Sequence, residues 1–258
     1  MQKILKNLVK LSILIYLVMV AILYIYQRDL LFFPQPKKNH TFKEMILKQK
    51  DEKIDVLVIN QNKSDAILYF GGNAEDISQT APNFKKNFPN HTIYMLYYPQ
   101  YGNSKGELSQ KNIFDNALFL YNKIKAKHKT ISTIGRSLGT GVAIYTASKK
   151  DIKNLVLITP YDSITNVALG RYPIFPIPLL IKDPFNSLQY VANINIKSNI
   201  LVFLASSDKV VPHKYANNLI KHLNKDKTIV KTIANTTHGT IINNQLMYKN
   251  ILDFLDKE

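Results

Sequence analysis

Eight short runs rich in β-branched and aromatic residues set the limits on what this chain of 258 residues folds into; they lie at 45–48, 54–59, 66–70, 92–97, 131–134, 155–158, 200–205 and 229–233. Longer helical patterns fill 111–127, 138–149, 213–223 and 240–257, so the later part reads strand, helix, strand, repeated. Such alternation predicts an α/β architecture: a mostly parallel eight-stranded sheet flanked by helices on both faces, its first two runs forming an antiparallel edge hairpin. Reactive groups in such a sheet collect at the carboxyl ends of the strands. With 46% hydrophobic residues the chain buries a sizeable core, and one domain over 30–258 is expected.

One stretch breaks the alternation. Residues 161–196 carry Pro173, Pro176, Pro178 and Pro184 among Tyr172, Phe175, Leu179 and Leu180, which forbids a long regular helix. Lying between two strand runs, the stretch reads as a small cap inserted over the sheet edge.

The N-terminus has a different character. Residues 11–27 carry no charge, follow Lys3, Lys6 and Lys10, and are closed by Arg28-Asp29. At ~1.5 Å per residue they span ~25 Å, slightly short of a ~30 Å hydrocarbon core, and snorkelling of Lys10 and Arg28 extends them. A single-pass transmembrane anchor over 1–29 is expected. A cleaved signal peptide is the rival, yet Ala21 stands without a second small residue among Met19, Val20, Ile22 and Leu23. A buried core helix is disfavoured because the apolarity runs all round. Tyr24 and Tyr26 suit an interfacial belt, whereas Tyr16 near the middle does not. Basic residues ahead of the span put the N-terminus in the cytoplasm and the domain outside it, a contrast softened by Lys37, Lys38 and Lys43. Pro34-Gln35-Pro36 reads as a stiff connector between membrane and domain.

Composition excludes several chemistries. There is no cysteine, so thiolate nucleophiles, disulfides and cysteine-ligated metals are ruled out. The formal charge is +16, and without the first 29 residues 30 basic and 17 acidic residues remain, or +13. Lysine is spread along the chain, and arginine occurs only as Arg28, Arg136 and Arg171. Nucleic-acid binding is not expected, since base-reading surfaces concentrate arginine and strand-binding ones interleave basic stripes with aromatics. The excess reads as a Lys/Asn/Ile composition, with attraction to anionic lipid or substrate as the lesser alternative.

Gly135-Arg136-Ser137-Leu138-Gly139 falls between a strand run and a helical pattern. A sharp turn there lifts the serine hydroxyl above the sheet, and the flanking glycines remove side chains that would collide with strand and helix. A serine nucleophile needs a base and an orienting carboxylate. Among the six histidines, His238 is best placed, in the polar loop Asn235-Thr236-Thr237-His238-Gly239 after the last strand run. Asp208 follows the run at 200–205 and is the candidate acid, with Asp162 as runner-up. The glycines of Gly71-Gly72-Asn73-Ala74, after 66–70, allow close backbone approach, so the amides of Asn73 and Leu138 are the candidate oxyanion donors. Each signal alone is moderate; four in this order, each at a strand end, are specific.

These residues resemble the α/β-hydrolase superfamily, and within it a membrane-anchored group with a Gly-Asn-Ala oxyanion loop. Gln27-Arg28-Asp29-Leu30-Leu31-Phe32-Phe33-Pro34 looks like that group's post-anchor segment, and Gly72-Asn73-Ala74-Glu75-Asp76-Ile77 like its oxyanion loop. Tyr98-Pro99-Gln100-Tyr101-Gly102-Asn103-Ser104-Lys105-Gly106 is similar to its pocket-lining loop, Pro160-Tyr161-Asp162-Ser163 to the start of its cap, and 207–212 to its acid loop. Gly71 departs from the pattern, where many relatives carry histidine. The resemblance implies a pocket including Gly72, Tyr101, Tyr161 and Asp162. It also implies a Ser-His-Asp hydrolase acting on an ester, thioester or amide of a small molecule or acyl lipid, with no metal or cofactor. Acyl ester or thioester cleavage is the leading expectation. An aminopeptidase-like amide hydrolase, its carboxylates drawn from Glu75, Asp76 and Asp162, and a non-catalytic membrane-tethered binding protein are the alternatives.

Overall fold

A computed structural model describes residues 1–49, 52–195 and 197–256. Ile196, Lys257 and Glu258, where the expected cap, last helical pattern and domain end, lie outside the described residues.

All eight runs are strands: β1 (Lys43–Gln49), β2 (Glu52–Ile59), β3 (Asp65–Phe70), β4 (His91–Leu96), β5 (Thr130–Arg136), β6 (Asn154–Ile158), β7 (Asn199–Ala205) and β8 (Thr228–Ile233). They form one sheet in the order β1-β2-β4-β3-β5-β6-β7-β8. The β1–β2 and β2–β4 pairs are antiparallel and the other pairs parallel. Every residue of β4 is buried, as expected for a strand covered on both faces.

The helices are α1 (Gln2–Leu31), α2 (Ile77–Asn87), α3 (Gln110–Ile124), α4 (Leu138–Lys149), α5 (Ile164–Arg171), α6 (Ile177–Leu180), α7 (Leu188–Val191), α8 (His213–Ile220) and α9 (Gln245–Leu255). None of the helical patterns covers α2. Its inner face of Ile77, Ala81 and Phe84 is interrupted in sequence by Pro82, which masks the helical period. Asp76 caps it by accepting from the Ser78 amide at 3.0 Å. Phe84 then packs on Tyr69 of β3 at 4.5 Å and edge-on to Tyr248 of α9 at 5.8 Å.

The strand order places the functional ends. From β3 the chain crosses through α2 to β4 on one side, then returns through α3 to β5 on the other. Right-handed crossovers in opposite directions put α2 and α3 on opposite faces, and α4 follows α3, against which it packs. The carboxyl ends of β3 and β5 therefore flank the point where the winding reverses, where open α/β sheets leave a crevice.

The cap consists of the short helices α5, α6 and α7, as its prolines require. Among the described residues one helix, α1, is long and apolar enough to cross a membrane, and none of its residues is buried in the protein. Its second half lies along the cap. Tyr16 donates to Ile174 O at 2.8 Å and its ring stacks on Phe175 at 5.9 Å, while Arg28 pairs with Asp183 at 2.8 Å and with Glu107. The Pro34-Gln35-Pro36 connector is not a free spacer. Buried Phe32 draws the chain onto Phe185, and Gly102 N donates to Gln35 O at 2.9 Å, fixing the connector to the domain.

Candidate active site

Ser137 sits between β5 and α4 with φ 49° and ψ −117°, a left-handed conformation that an L-residue adopts only when its surroundings impose it. The neighbouring glycines are what permit the turn. A Cβ on Gly139 would lie 2.0 Å from Phe70 O, and one on Gly135 would lie 2.3 Å from Gly139 O, so strand and helix backbones touch where only hydrogen fits. Ser137 N donates to Ile158 O of β6 at 2.9 Å, which locks the turn to the next strand.

His238 lies beyond β8 and brings Nε2 to 2.9 Å from Ser137 Oγ. Its Nδ1 is 2.8 Å from Asp208 Oδ2. Since a carboxylate only accepts, Nδ1–H donates to Asp208 and Nε2 is left to accept from the serine hydroxyl. Burial disfavours the charge on Asp208, but its bonds to His238 and to the amides of Val211 and Val210, at 2.8 and 3.0 Å, hold its carboxyl below the usual carboxylate range. Ser207 N donates to Thr236 O at 2.9 Å, tying the acid loop to the histidine loop.

Asn73 follows β3, beside β5. Among the described residues, the amides of Asn73 and Leu138 donate no hydrogen bond to protein. The Asn73 side chain faces the N-terminal segment, its Oδ1 accepting from Phe33 N at 3.1 Å and Tyr101 Oη at 2.8 Å, and its Nδ2 donating to Leu31 O.

An ion pair between buried Glu75 and partly buried Arg136 joins these loops. Arg136 Nη1 donates to Glu75 Oε2 at 2.9 Å and Nη2 to His238 O at 3.3 Å. Glu75 in turn accepts from Gly72 N at 2.8 Å, Tyr69 Oη at 2.7 Å and Thr80 Oγ1 at 2.6 Å. Burial opposes the Glu75 charge, yet the guanidinium and these donors hold its carboxyl below the usual range. The Gly72-Asn73 loop, the elbow and the histidine loop thus share one anchor. Neither residue's part was read from the sequence: the two are 61 apart, and the rarity of arginine was the one available hint.

The cleft at Ser137 has a volume of about 290 Å³ and is lined by Phe33, Gly72, Asn73, Glu75, Val210 and His238, among others. Of the expected pocket residues, Gly72 lines it and three others do not. Tyr101 is buried and holds Asn73 from behind. Tyr161 is buried against α4, donating to Leu138 O at 3.2 Å. Asp162 is consumed at the start of the cap, accepting from Ser163 N at 2.6 Å and from the amides of Asn166 and Asn218 at 2.9 and 2.6 Å, so it is not the partner of His238. Phe33 and Val210 line the cleft without having been expected there.

No family model matches the chain. Among curated proteins it is similar to an uncharacterized protein of Mycobacterium tuberculosis, 27% identical over 160 residues, 60% of this chain and 56% of that protein. It is also similar to an alpha/beta hydrolase domain-containing protein of Caenorhabditis elegans, 28% identical over 158 residues, 58% of this chain and 45% of that one. The chain spans about half the length of the curated relatives it matches. Among solved structures, an esterase of Pyrococcus furiosus superposes with TM-score 0.67 and 20% identity, covering 87% of this chain and 98% of that one. Est1E of Butyrivibrio proteoclasticus, with ferulic acid bound, superposes with TM-score 0.66 and 15% identity over 82% of this chain and 97% of its own. At these identities the likeness concerns architecture, and the chain has the α/β-hydrolase fold.

Proposed function

We propose that the chain is a membrane-anchored serine hydrolase that cleaves an acyl ester or thioester. One observation carries this: Asp208, His238 and Ser137 form a continuous hydrogen-bonded relay beside two amides that have no protein partner among the described residues. In the proposed reaction Ser137 Oγ attacks the acyl carbon while its proton passes to His238 Nε2, and the amides of Asn73 and Leu138 receive the oxyanion. His238 then protonates the leaving alcohol or thiol as the acyl bond breaks. Water, deprotonated by the same imidazole, releases the acid and restores the serine. Asp208 holds the Nδ1–H tautomer and balances the imidazolium. That an esterase and a ferulic acid-binding protein share the fold agrees with ester chemistry.

An aminopeptidase-like reaction is less well supported, because it needs a spare carboxylate for the substrate's α-amine. Glu75 is held by Arg136, Asp76 caps α2 and Asp162 is bound within the cap. A non-catalytic tethered protein would have no use for the assembled relay. For the membrane reading, α1 supplies a long uncharged span, and its contacts with the cap and Asn73 favour retention over cleavage. Lys3, Lys6 and Lys10 favour a cytoplasmic N-terminus and an extracytoplasmic domain.

Profiling the full chain against p-nitrophenyl esters, acyl thioesters and aminoacyl amides tests the reading. Ester or thioester turnover that disappears in Ser137→Ala is expected; turnover that survives the substitution overturns it.

A further inference from the structure

A groove of about 140 Å³ runs between α1 and the cap, distinct from the cleft at Ser137. Leu23, Leu30 and Leu31 of the helix face Ile164, Ala168 and Leu180 of the cap across it. Two polar side chains reach it among the described residues. Gln27 is already engaged, its nitrogen donating to Leu180 O at 3.0 Å and its oxygen accepting from Lys182 N at 2.6 Å. The other is the phenol of half-exposed Tyr172. The lining offers no countercharge to an ionic ligand and matches a neutral hydrocarbon chain.

Two further observations say where such a chain comes from and where it leads. Leu31, on the groove wall, has its carbonyl bonded by the Asn73 side chain, and Phe33, two residues on, lines the serine cleft. Groove and cleft therefore share the segment that joins α1 to the domain. At the other end, Tyr16 bonds the cap tip at Ile174, about 18 Å along the helix from Arg28. With Arg28 at the membrane surface, the tip lies at the depth of acyl chains, and Ile174 there is 68% exposed, while Leu179, 86% exposed, lies nearer the surface end, next to the Leu180 carbonyl that Gln27 bonds.

We propose that α1 is more than a tether: with the cap it forms an acyl-binding groove that takes the hydrocarbon chain of an ester lying in the bilayer and presents its carbonyl to Ser137. This rests on the serine-hydrolase reading above. It makes the anchor helix a wall of the substrate site.

The test uses the full chain in lipid nanodiscs and compares labelling rates for an ethyl and a decyl fluorophosphonate. Partitioning concentrates the long probe in any membrane, so the informative quantity is how the decyl-to-ethyl ratio changes in Ala168→Phe and Leu23→Trp, which fill the groove from opposite walls. Each variant lowers that ratio about ten-fold, as expected for the loss of two or so buried methylenes. Labelling by the ethyl probe reports that the serine site of each variant is folded. A ratio that stays at the unaltered chain's value in either labelled variant overturns the groove. Failure of both probes to label the unaltered chain overturns the hydrolase reading, and the groove with it.

Discussion

Arg136 donates to Glu75 at 2.9 Å from within the elbow itself, so the residue preceding the serine is bound to the residue that fixes the Gly72-Asn73 loop. Glu75 fixes Gly72 N, and the next residue, Asn73, carries the amide proposed to receive the oxyanion. Glu75 is buried and Arg136 largely so, with side-chain exposures of 5% and 14%. Removing one partner strands a charge in the interior, which costs ~3–5 kcal/mol.

Arg136→Met is accordingly expected to destabilise the chain by about that amount and to lower kcat more than it raises KM, because the displaced donor acts on the transition state. Combining it with Glu75→Gln recovers much of the stability and little of the kcat. Thermal unfolding and steady-state kinetics on the same samples separate the two effects. Equal recovery of both contradicts a positioning role.

The Glu75 carboxyl titrates below its ordinary value in the fold, so it contributes stability that is fully present above the unfolded value of about 4.3 and is lost as pH falls through the folded one. Thermal unfolding between pH 3 and 7 is expected to show a steep acid limb. In Glu75→Gln that limb flattens, and stability near pH 7 drops relative to the unaltered chain.

Asp208→Asn puts an amide opposite His238 Nδ1 and favours the tautomer carrying its proton on Nε2, which cannot accept from Ser137. Ester turnover falls ~10³–10⁴-fold with the fold intact. The imidazole proton signals, followed by NMR, move to the other nitrogen.

Gly139→Ala forces a Cβ to within 2.0 Å of Phe70 O at the carboxyl end of β3. Backbone must part from backbone, so the variant loses several kcal/mol, as expected of substitutions that overpack a close-packed site. A Gly239→Ala control, with nothing within 4 Å of the added carbon, changes little in the same melt.

How much of this was legible in the sequence follows from the range of the interaction. Strand runs such as 200–205 announce themselves because burial on both faces demands unbroken apolar residues. The Ser137 turn is legible because its Gly-x-Ser-x-Gly spacing is local, even though the contact that requires Gly139 is with distant Phe70. α2 was missed because Pro82 falls inside it, and the Arg136–Glu75 pair because no spacing rule connects residues on different strand ends. Tyr101, Tyr161 and Asp162 were placed by resemblance to the correct loops, but a loop's position does not fix where its side chains point: each turns inward to brace the scaffold. The N-terminal helix was legible as apolar and, over 11–27, uncharged. Its seat on the cap, which depends on Tyr16, Gln27 and Arg28 finding distant partners, was not.

The most direct measurement is covalent labelling of the full chain with a fluorophosphonate, followed by mass mapping of the adduct. The account predicts one adduct, on Ser137, that His238→Ala slows by orders of magnitude and Ser137→Ala abolishes. An unlabelled chain, or an adduct that persists in Ser137→Ala, contradicts it.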